Sequence, residues 1–432
     1  MKTPVHSSYI RRRDMDSVLN CLVTDDVGPG NAYARFMAQI RETLGCEYAA
    51  GLRSPVEALK TALSLLGLPE GARVACSALS PSYYGYAIRG AGFEPVWLDV
   101  LPASGAADPA ELGRLRQKQA VAAASRAQGT GAETVTGTAT GAGAPAVSAI
   151  DGGDAVAIET ASISKAAITL EAAEAPETAE TPGLLEARSE RAPIGAGGAA
   201  GGGDGGSWAP VRALVLAGPF GIMPAFEAFL ESGLPIIEDI TQTLGAYSSL
   251  RKAGDTGAIT LLSLESGGHI TAGEGALLIA KGKREAAALR SVIEAMPRES
   301  LMSDMNASLG LAQLKELPRF QEKRKELYGL FQRALLQSRH GLLAQEGEGE
   351  PSYFAFPAVL RSGARDVRAY ARKKDIETEE ASAGTMLPLL SEDEWPLPQA
   401  RALCLRCILF PLHPRIGGAG AQRIVKVLST LP

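Results

Sequence analysis

Two rhythms of apolar residues alternate along the chain: helical spacing, and short continuous runs bounded by polar residues, Gly or Pro. Met15, Val18, Leu19 and Leu22 share one face at helical spacing and predict a short helix over 14–22. After Gly28-Pro29-Gly30 a second helix is expected over 32–44, and the run 49–52 is too short to class. Ser54 fits an N-cap and Pro55 the first helical position, opening an amphipathic helix over 56–66. A strand over 73–77, a helix over 83–91 and a strand over 95–100 follow. Farther on, strands are predicted over 211–217, 235–239, 258–264 and 276–280, with a helix over 223–232 between the first two. A long helix starts at 303–314 and resumes over 320–337, and shorter elements fill 352–432. Repeated strand–helix–strand units imply an α/β protein with a mostly parallel sheet covered by helices, plus a smaller C-terminal α/β domain.

The pattern stops between 119 and 207. Ala, Gly, Thr, Ser and Glu dominate there, no aromatic residue occurs, and the stretch ends in a Gly-rich run. Such a segment buries too little apolar surface to offset the entropy of ordering it, so it reads as a flexible insertion, with a short helical piece possible around 162–175. The expected organisation is therefore a large domain in two parts, 1–118 and 208–320, interrupted by the insertion at 119–207 and followed by a small domain over 321–432.

Composition narrows the function classes. The 432 residues carry 43 Lys and Arg against 48 Asp and Glu, a formal net charge of −5, which argues against a nucleic-acid binder that must neutralise phosphates. No run of about 18 apolar residues predicts a membrane span, and residues 1–20 lack the apolar core of a secretory signal. Five scattered cysteines do not form a disulfide framework, so a reduced, cytoplasmic protein is expected. Cys404-Leu405-Arg406-Cys407, with His413 beyond it, is a single pair and a weak zinc signal, so no metal is expected. His6 and His340 sit in polar surroundings and read as surface residues. Gly218-Pro219-Phe220-Gly221 lacks the spacing of a phosphate loop, and no serine sits in a nucleophile elbow.

Two stretches carry chemistry. One is Pro235-Ile236-Ile237-Glu238-Asp239-Ile240-Thr241-Gln242-Thr243-Leu244-Gly245-Ala246, and the other is Ser263-Leu264-Glu265-Ser266-Gly267-Gly268-His269-Ile270-Thr271-Ala272-Gly273-Glu274-Gly275-Ala276. In order and spacing they resemble the DegT/StrS-type sugar aminotransferases, pyridoxal-phosphate enzymes of the aspartate-aminotransferase fold. Cys46-Glu47-Tyr48-Ala49-Ala50, Gly92-Phe93-Glu94-Pro95-Val96-Trp97-Leu98-Asp99, Ser308-Leu309-Gly310-Leu311-Ala312-Gln313-Leu314 and Phe410-Pro411-Leu412-His413-Pro414 extend the resemblance over nearly everything outside the insertion.

The resemblance implies where the cofactor would be held. Asp239 stands where a carboxylate keeps the pyridine nitrogen protonated, and Gln242 where an amide meets the phenolic oxygen. The phosphate cup is weaker: Ser54 and Ser263 keep hydroxyls, but Pro55 has no N–H and Val56 no hydroxyl. Glu299-Ser300-Leu301-Met302 replaces the run in which the family supplies an asparagine from the partner subunit. The Schiff-base lysine is replaced outright by Gly268, which has no nucleophile. By register Leu79 or Pro81 takes the place of the stacking aromatic, with Tyr83 nearby, and Glu377-Thr378-Glu379-Glu380-Ala381-Ser382 departs from the family's sugar-contacting run.

Several losses together favour a non-catalytic scaffold or ligand-binding homologue linked to sugar or polysaccharide biosynthesis, with pyridoxal or pyridoxamine phosphate absent or weakly held. The resemblance implies a two-fold dimer with sites at its interface, either of identical chains or with an active homologue, and a sugar nucleotide as ligand. Two alternatives stand beside it. One is an enzyme of altered, dehydratase-like mechanism holding pyridoxamine phosphate non-covalently, with His269 carrying protons. The other is an ordinary transaminase whose amine comes from elsewhere, such as Lys252.

Overall fold

The computed structural model describes residues 2–25, 27–117, 210–248, 251–345 and 347–432. The expected insertion at 119–207, with its helical piece, lies outside the described residues. The described residues belong to one compact unit. Its centre is a seven-stranded sheet ordered β1 (Tyr48–Leu52), β9 (Ala276–Ala280), β8 (Ile259–Ser263), β5 (Ile236–Asp239), β4 (Val211–Ala217), β2 (Arg73–Ser77) and β3 (Glu94–Leu98). The five strands from β8 to β3 run parallel, whereas β9 is antiparallel to both its neighbours. The unclassed run around residue 50 is therefore an edge strand, paired from Tyr48 opposite Ala280 to Leu52 opposite Ala276.

Both faces of the sheet are covered, which is why β8 and β9 are buried at every position and read as unbroken apolar runs. On one face lie α3 (Pro55–Ser64), α4 (Tyr83–Gly90) and α6 (Lys283–Ala295), through Leu59, Leu63, Ile88 and Leu289. On the other, α2 (Asn31–Leu44) and α7 (Asp304–Leu335) pack Phe36, Ile40 and Leu314 against Leu262, Leu277 and Ile279, and α5 (Phe226–Leu230) buries Phe226 and Phe229. Helix α3 starts as its sequence predicts: the Ser54 hydroxyl accepts from the Val56 N–H at 3.2 Å, with Pro55 in the first turn. Helix α7 runs unbroken for 32 residues through Pro318, so the expected interruption is only a missing donor inside one helix.

A second sheet, β10 (Gly341–Leu342), β12 (Phe356–Val359), β14 (Cys407–Phe410) and β13 (Glu379–Glu380), is antiparallel throughout. It is backed by α8 (Ala364–Arg372) and α10 (Gly418–Leu428) and by the later turns of α7. No helix among the described residues is long and apolar enough to cross a membrane.

One carboxylate ties the two sheets' elements together. Buried Asp99, just past β3, accepts from the N–H groups of Gln399 at 2.9 Å and Ala400 at 2.7 Å, capping α9 (Pro398–Cys404), and from Val100 at 2.9 Å. Asp99→Ala leaves three donors without this acceptor, two of them at a helix start. It is expected to lower unfolding free energy by about 2–3 kcal/mol in urea titration, with Asp99→Asn recovering part of the loss.

Candidate active site

Strand β5 ends at Asp239, and the backbone beyond it turns so that the Thr241 N–H donates to Asp239 Oδ1 at 2.8 Å. The other oxygen is met by the first residues of α4: Tyr84 Oη donates to Oδ2 at 2.7 Å and Tyr83 Oη lies 3.5 Å from it. The two rings pack edge to face with centroids 5.2 Å apart. Their segment is anchored to the small sheet's side of the molecule, because the Ser82 N–H donates to the Gly384 carbonyl and the Met386 N–H to the Ser80 carbonyl, each at 2.9 Å. Burial raises the pKa of Asp239, and burial with the adjacent carboxylate pushes both tyrosines well above their ordinary value, so the hydroxyls remain donors. Both oxygens of this carboxylate are thus satisfied by the chain itself.

Beside this cluster lies a cavity of about 270 Å³, lined among others by His6, Tyr83, Gln242, Ser263, Glu265 and Gly268. Three of the expected site residues therefore meet in one place: Gln242, Ser263 and Gly268. Asp239 stands behind Tyr83, and Ser54, engaged in its helix cap, is not among the lining residues. Gln242 turns its carbonyl oxygen to the Phe220 N–H at 2.7 Å. The Ser263 hydroxyl donates to Glu265 Oε2 at 3.3 Å, placing an exposed carboxylate on the hydroxyl that an anion would seek. No lysine or arginine lines this cavity among the described residues.

A Cβ built on Gly268 would stand 2.8 Å from the Ile270 carbonyl oxygen, so a side chain there requires the backbone of this loop to shift. Its own carbonyl lies 3.4 Å from Nη2 of Arg324, which is buried in the middle of α7.

His269, the expected proton carrier of the altered-mechanism reading, turns away from the cavity. Its Nε2 lies 3.0 Å from the Gln242 carbonyl and 3.0 Å from Ser352 Oγ, and its ring meets Phe354 edge-on at 5.4 Å. A carbonyl only accepts, so the proton belongs on Nε2, and Nδ1 has no partner among the described residues. Burial, with the Arg324 cation next, lowers its pKa to about 3. Lys252 lines a different cavity, with Thr43, Asp255 and Lys281.

One of the two histidines read as surface residues departs from that expectation, while His6 keeps about a third of its side chain exposed. His340 is buried, its Nδ1 accepting from the Arg361 N–H at 3.2 Å. His6 lines the cavity, 3.1 Å from Glu379 and packed on Phe354 at 6.0 Å. Cys404 and Cys407 are free thiols whose pKa values burial raises, and no group of three metal-ligating side chains occurs among the described residues.

A family model described as the DegT/DnrJ/EryC1/StrS aminotransferase family matches residues 8–125 and 215–429. The chain belongs to this family. Solved DegT-type structures share its fold across nearly their whole length. PseC from Helicobacter pylori, an aminotransferase involved in the biosynthesis of pseudoaminic acid, is 14% identical at a TM-score of 0.70, covering 99% of this chain and 98% of its own. The pyridoxal-phosphate form of the sugar aminotransferase Spr1654 from Streptococcus pneumoniae is 14% identical at 0.71, with coverage of 99% and 98%. A family member from Brucella abortus is 17% identical at 0.67, covering 96% and 94%. No curated protein sequence matches the chain.

Proposed function

We propose that this chain is a DegT-family protein that has left transamination and keeps the fold as a non-catalytic scaffold or ligand-binding body linked to sugar or polysaccharide biosynthesis. The observation that carries the reading is Gly268. The position assigned to the Schiff-base lysine holds a glycine, and the backbone around it has closed to within 2.8 Å of where a Cβ would stand.

Three further features support it. The carboxylate meant for a pyridine nitrogen is occupied by Tyr84 and Tyr83, a carboxylate leans on the Ser263 hydroxyl, and Pro55 removes a donor from the helix start nearest the missing phosphate turn. The residues present do not fit pyridoxal phosphate as the family holds it. The altered-mechanism alternative needs His269 as a proton carrier, and a buried imidazole with a pKa of about 3, outside the cavity lining, argues against that role. The sugar link comes from the family and from neighbours such as PseC.

The test is spectroscopic. Pyridoxal phosphate added in stoichiometric amount to the native chain is expected to produce no imine absorbance band and no rise in melting temperature. Gly268→Lys alone is expected to behave the same way, because the new Cβ collides with the Ile270 carbonyl and Tyr84 still holds Asp239. A borohydride-trapped imine at one single side chain of the native chain, formed with stoichiometric pyridoxal phosphate, would overturn the reading.

A further inference from the structure

Three destabilising features converge on a second cavity. It measures about 410 Å³, within the range of small-molecule sites, and lies between the later turns of α7, the segment before β12 and the turn after β4. From α7 it is lined by Lys325, Tyr328, Gly329 and Gln332, spaced i, i+3, i+4 and i+7 on one helix face. Gly329 is the first feature, because glycine inside a helix weakens it. Packing does not require it: within 4 Å a Cβ built there meets only the end of the Arg333 side chain, at 3.8 Å. Phe220 and Tyr353, also in the lining, are the other two. Their φ values of 61° and 56° fall in the left-handed region that bulky side chains rarely adopt. A helix glycine and two strained aromatic residues gathered around one space mark it as a site and not a packing defect.

The lining says what the space takes. Buried Ile222, Leu343 and Ala355 give it apolar wall, and the Tyr328 and Tyr353 rings stand with centroids 4.9 Å apart, tilted by 54°. Lys325 is the one charged residue of the lining among the described residues, and Glu350 pairs with it at 2.8 Å, so a charged ligand finds no free counter-ion. Gln345 engages both ends of its amide, accepting from the Met223 N–H at 3.2 Å and donating to the Tyr247 carbonyl at 2.9 Å. Burial, with the Glu350 carboxylate next, pushes the Tyr353 pKa to about 12. Tyr328 differs. Burial pushes its pKa to about 12 as well, so it stays a donor, but its hydroxyl has no hydrogen-bond partner among the described residues.

We propose that this cavity is a second ligand site, taking a small neutral aromatic molecule of one or two rings whose hydrogen-bond acceptor meets the Tyr328 hydroxyl. No residue lines both cavities, so the site does not depend on the proposed loss of transamination.

Calorimetric titration of the full chain with quinoline tests this, because quinoline has two fused rings, one acceptor nitrogen and no charge at neutral pH. The native chain is expected to bind one equivalent with a dissociation constant below about 1 mM. Gly329→Leu puts a side chain into the space and is expected to weaken binding at least about tenfold. Its melting temperature is expected to hold or rise, because a helix glycine has been removed. Tyr328→Phe is expected to weaken binding about fivefold with an unchanged melting temperature, since the hydroxyl bonds nothing in the fold. Quinoline-4-carboxylate brings a charge the cavity cannot pair and is expected to bind at least about tenfold less tightly than quinoline. The absence of saturable quinoline binding up to about 5 mM overturns the proposal. So does binding that Gly329→Leu or Tyr328→Phe leaves unchanged, or a carboxylate that binds as tightly as quinoline.

Discussion

Arg324→Ala is expected to be the most damaging single truncation in the molecule, lowering unfolding free energy by about 3–5 kcal/mol. Arg324 is 2% exposed, and the groups that satisfy it are carbonyl oxygens. Nη1 donates to Phe354 at 2.8 Å and Leu412 at 2.7 Å, with Tyr353 at 3.4 Å, while Nη2 lies 3.4 Å from Gly268. The guanidinium also stands 5.8 Å from the centre of the Phe354 ring. Burial lowers its pKa to about 10, which leaves it charged at pH 7. One side chain therefore joins α7, the loop that carries Gly268, the approach to β12 and the segment after β14. Its loss strands buried carbonyls from three segments and opens a cavity. Arg324→Lys keeps the charge but cannot reproduce the planar fork, so it is expected to recover less than half of the loss. Guanidinium unfolding midpoints measure the size. Hydrogen exchange adds the location: residues 263–276 are expected to lose protection in either variant before the sheet does.

The sheet was largely legible before any coordinates. Arg73–Ser77, Val211–Ala217 and Ala276–Ala280 fall on their predicted bounds, because covered strands are unbroken apolar runs whose ends are marked by Gly, Pro or charge. Strand β1 was not, since Ala49, Ala50 and Gly51 are small and carry no period; pairing with β9 makes them a strand. Helix α6 is not among the predicted elements, although Ala286, Leu289 and Ile293 repeat at helical spacing.

The site divides in the same way. Asp239, Gln242, Ser263 and Gly268 could be singled out as candidates because they belong to two local motifs, and Gln242, Ser263 and Gly268 line one cavity. Tyr84 reaches Asp239 across 155 positions in sequence, and His6 joins the cavity from the N-terminus, contacts no local pattern encodes. The inward turn of His269 was equally hidden. One residue beyond Gly268, an imidazole suggests chemistry, and only its packing against Phe354 and Ser352 shows it facing away from the cavity.

That packing gives the second large effect, a loss of stability on mild acidification. His269 and His413 are both buried as neutral rings, and burial lowers their pKa values to about 3 and about 4 from an ordinary 6.5. For a depressed base the sign is fixed. Above pH 6.5 neither folded nor unfolded rings carry the proton and the stabilisation is fully present. Below it the unfolded chain binds protons that the folded chain refuses, so stability falls with pH until the folded values are reached. From pH 6.5 to pH 5 each ring withholds a proton over about 1.5 pH units, or about 2 kcal/mol, and the pair about 4 kcal/mol. Glu238 and Asp239 act in the opposite sense, because burial raises their pKa values and protonating them relieves the folded state. Their contribution offsets part of the loss. His269→Gln keeps a donor for the Gln242 carbonyl while removing the titration. Its unfolding free energy, measured between pH 7 and pH 5, is expected to fall by about 2 kcal/mol less than that of the native chain. Equal slopes for the two proteins would mean that the ring exchanges protons freely in the folded state, contrary to its burial against Phe354.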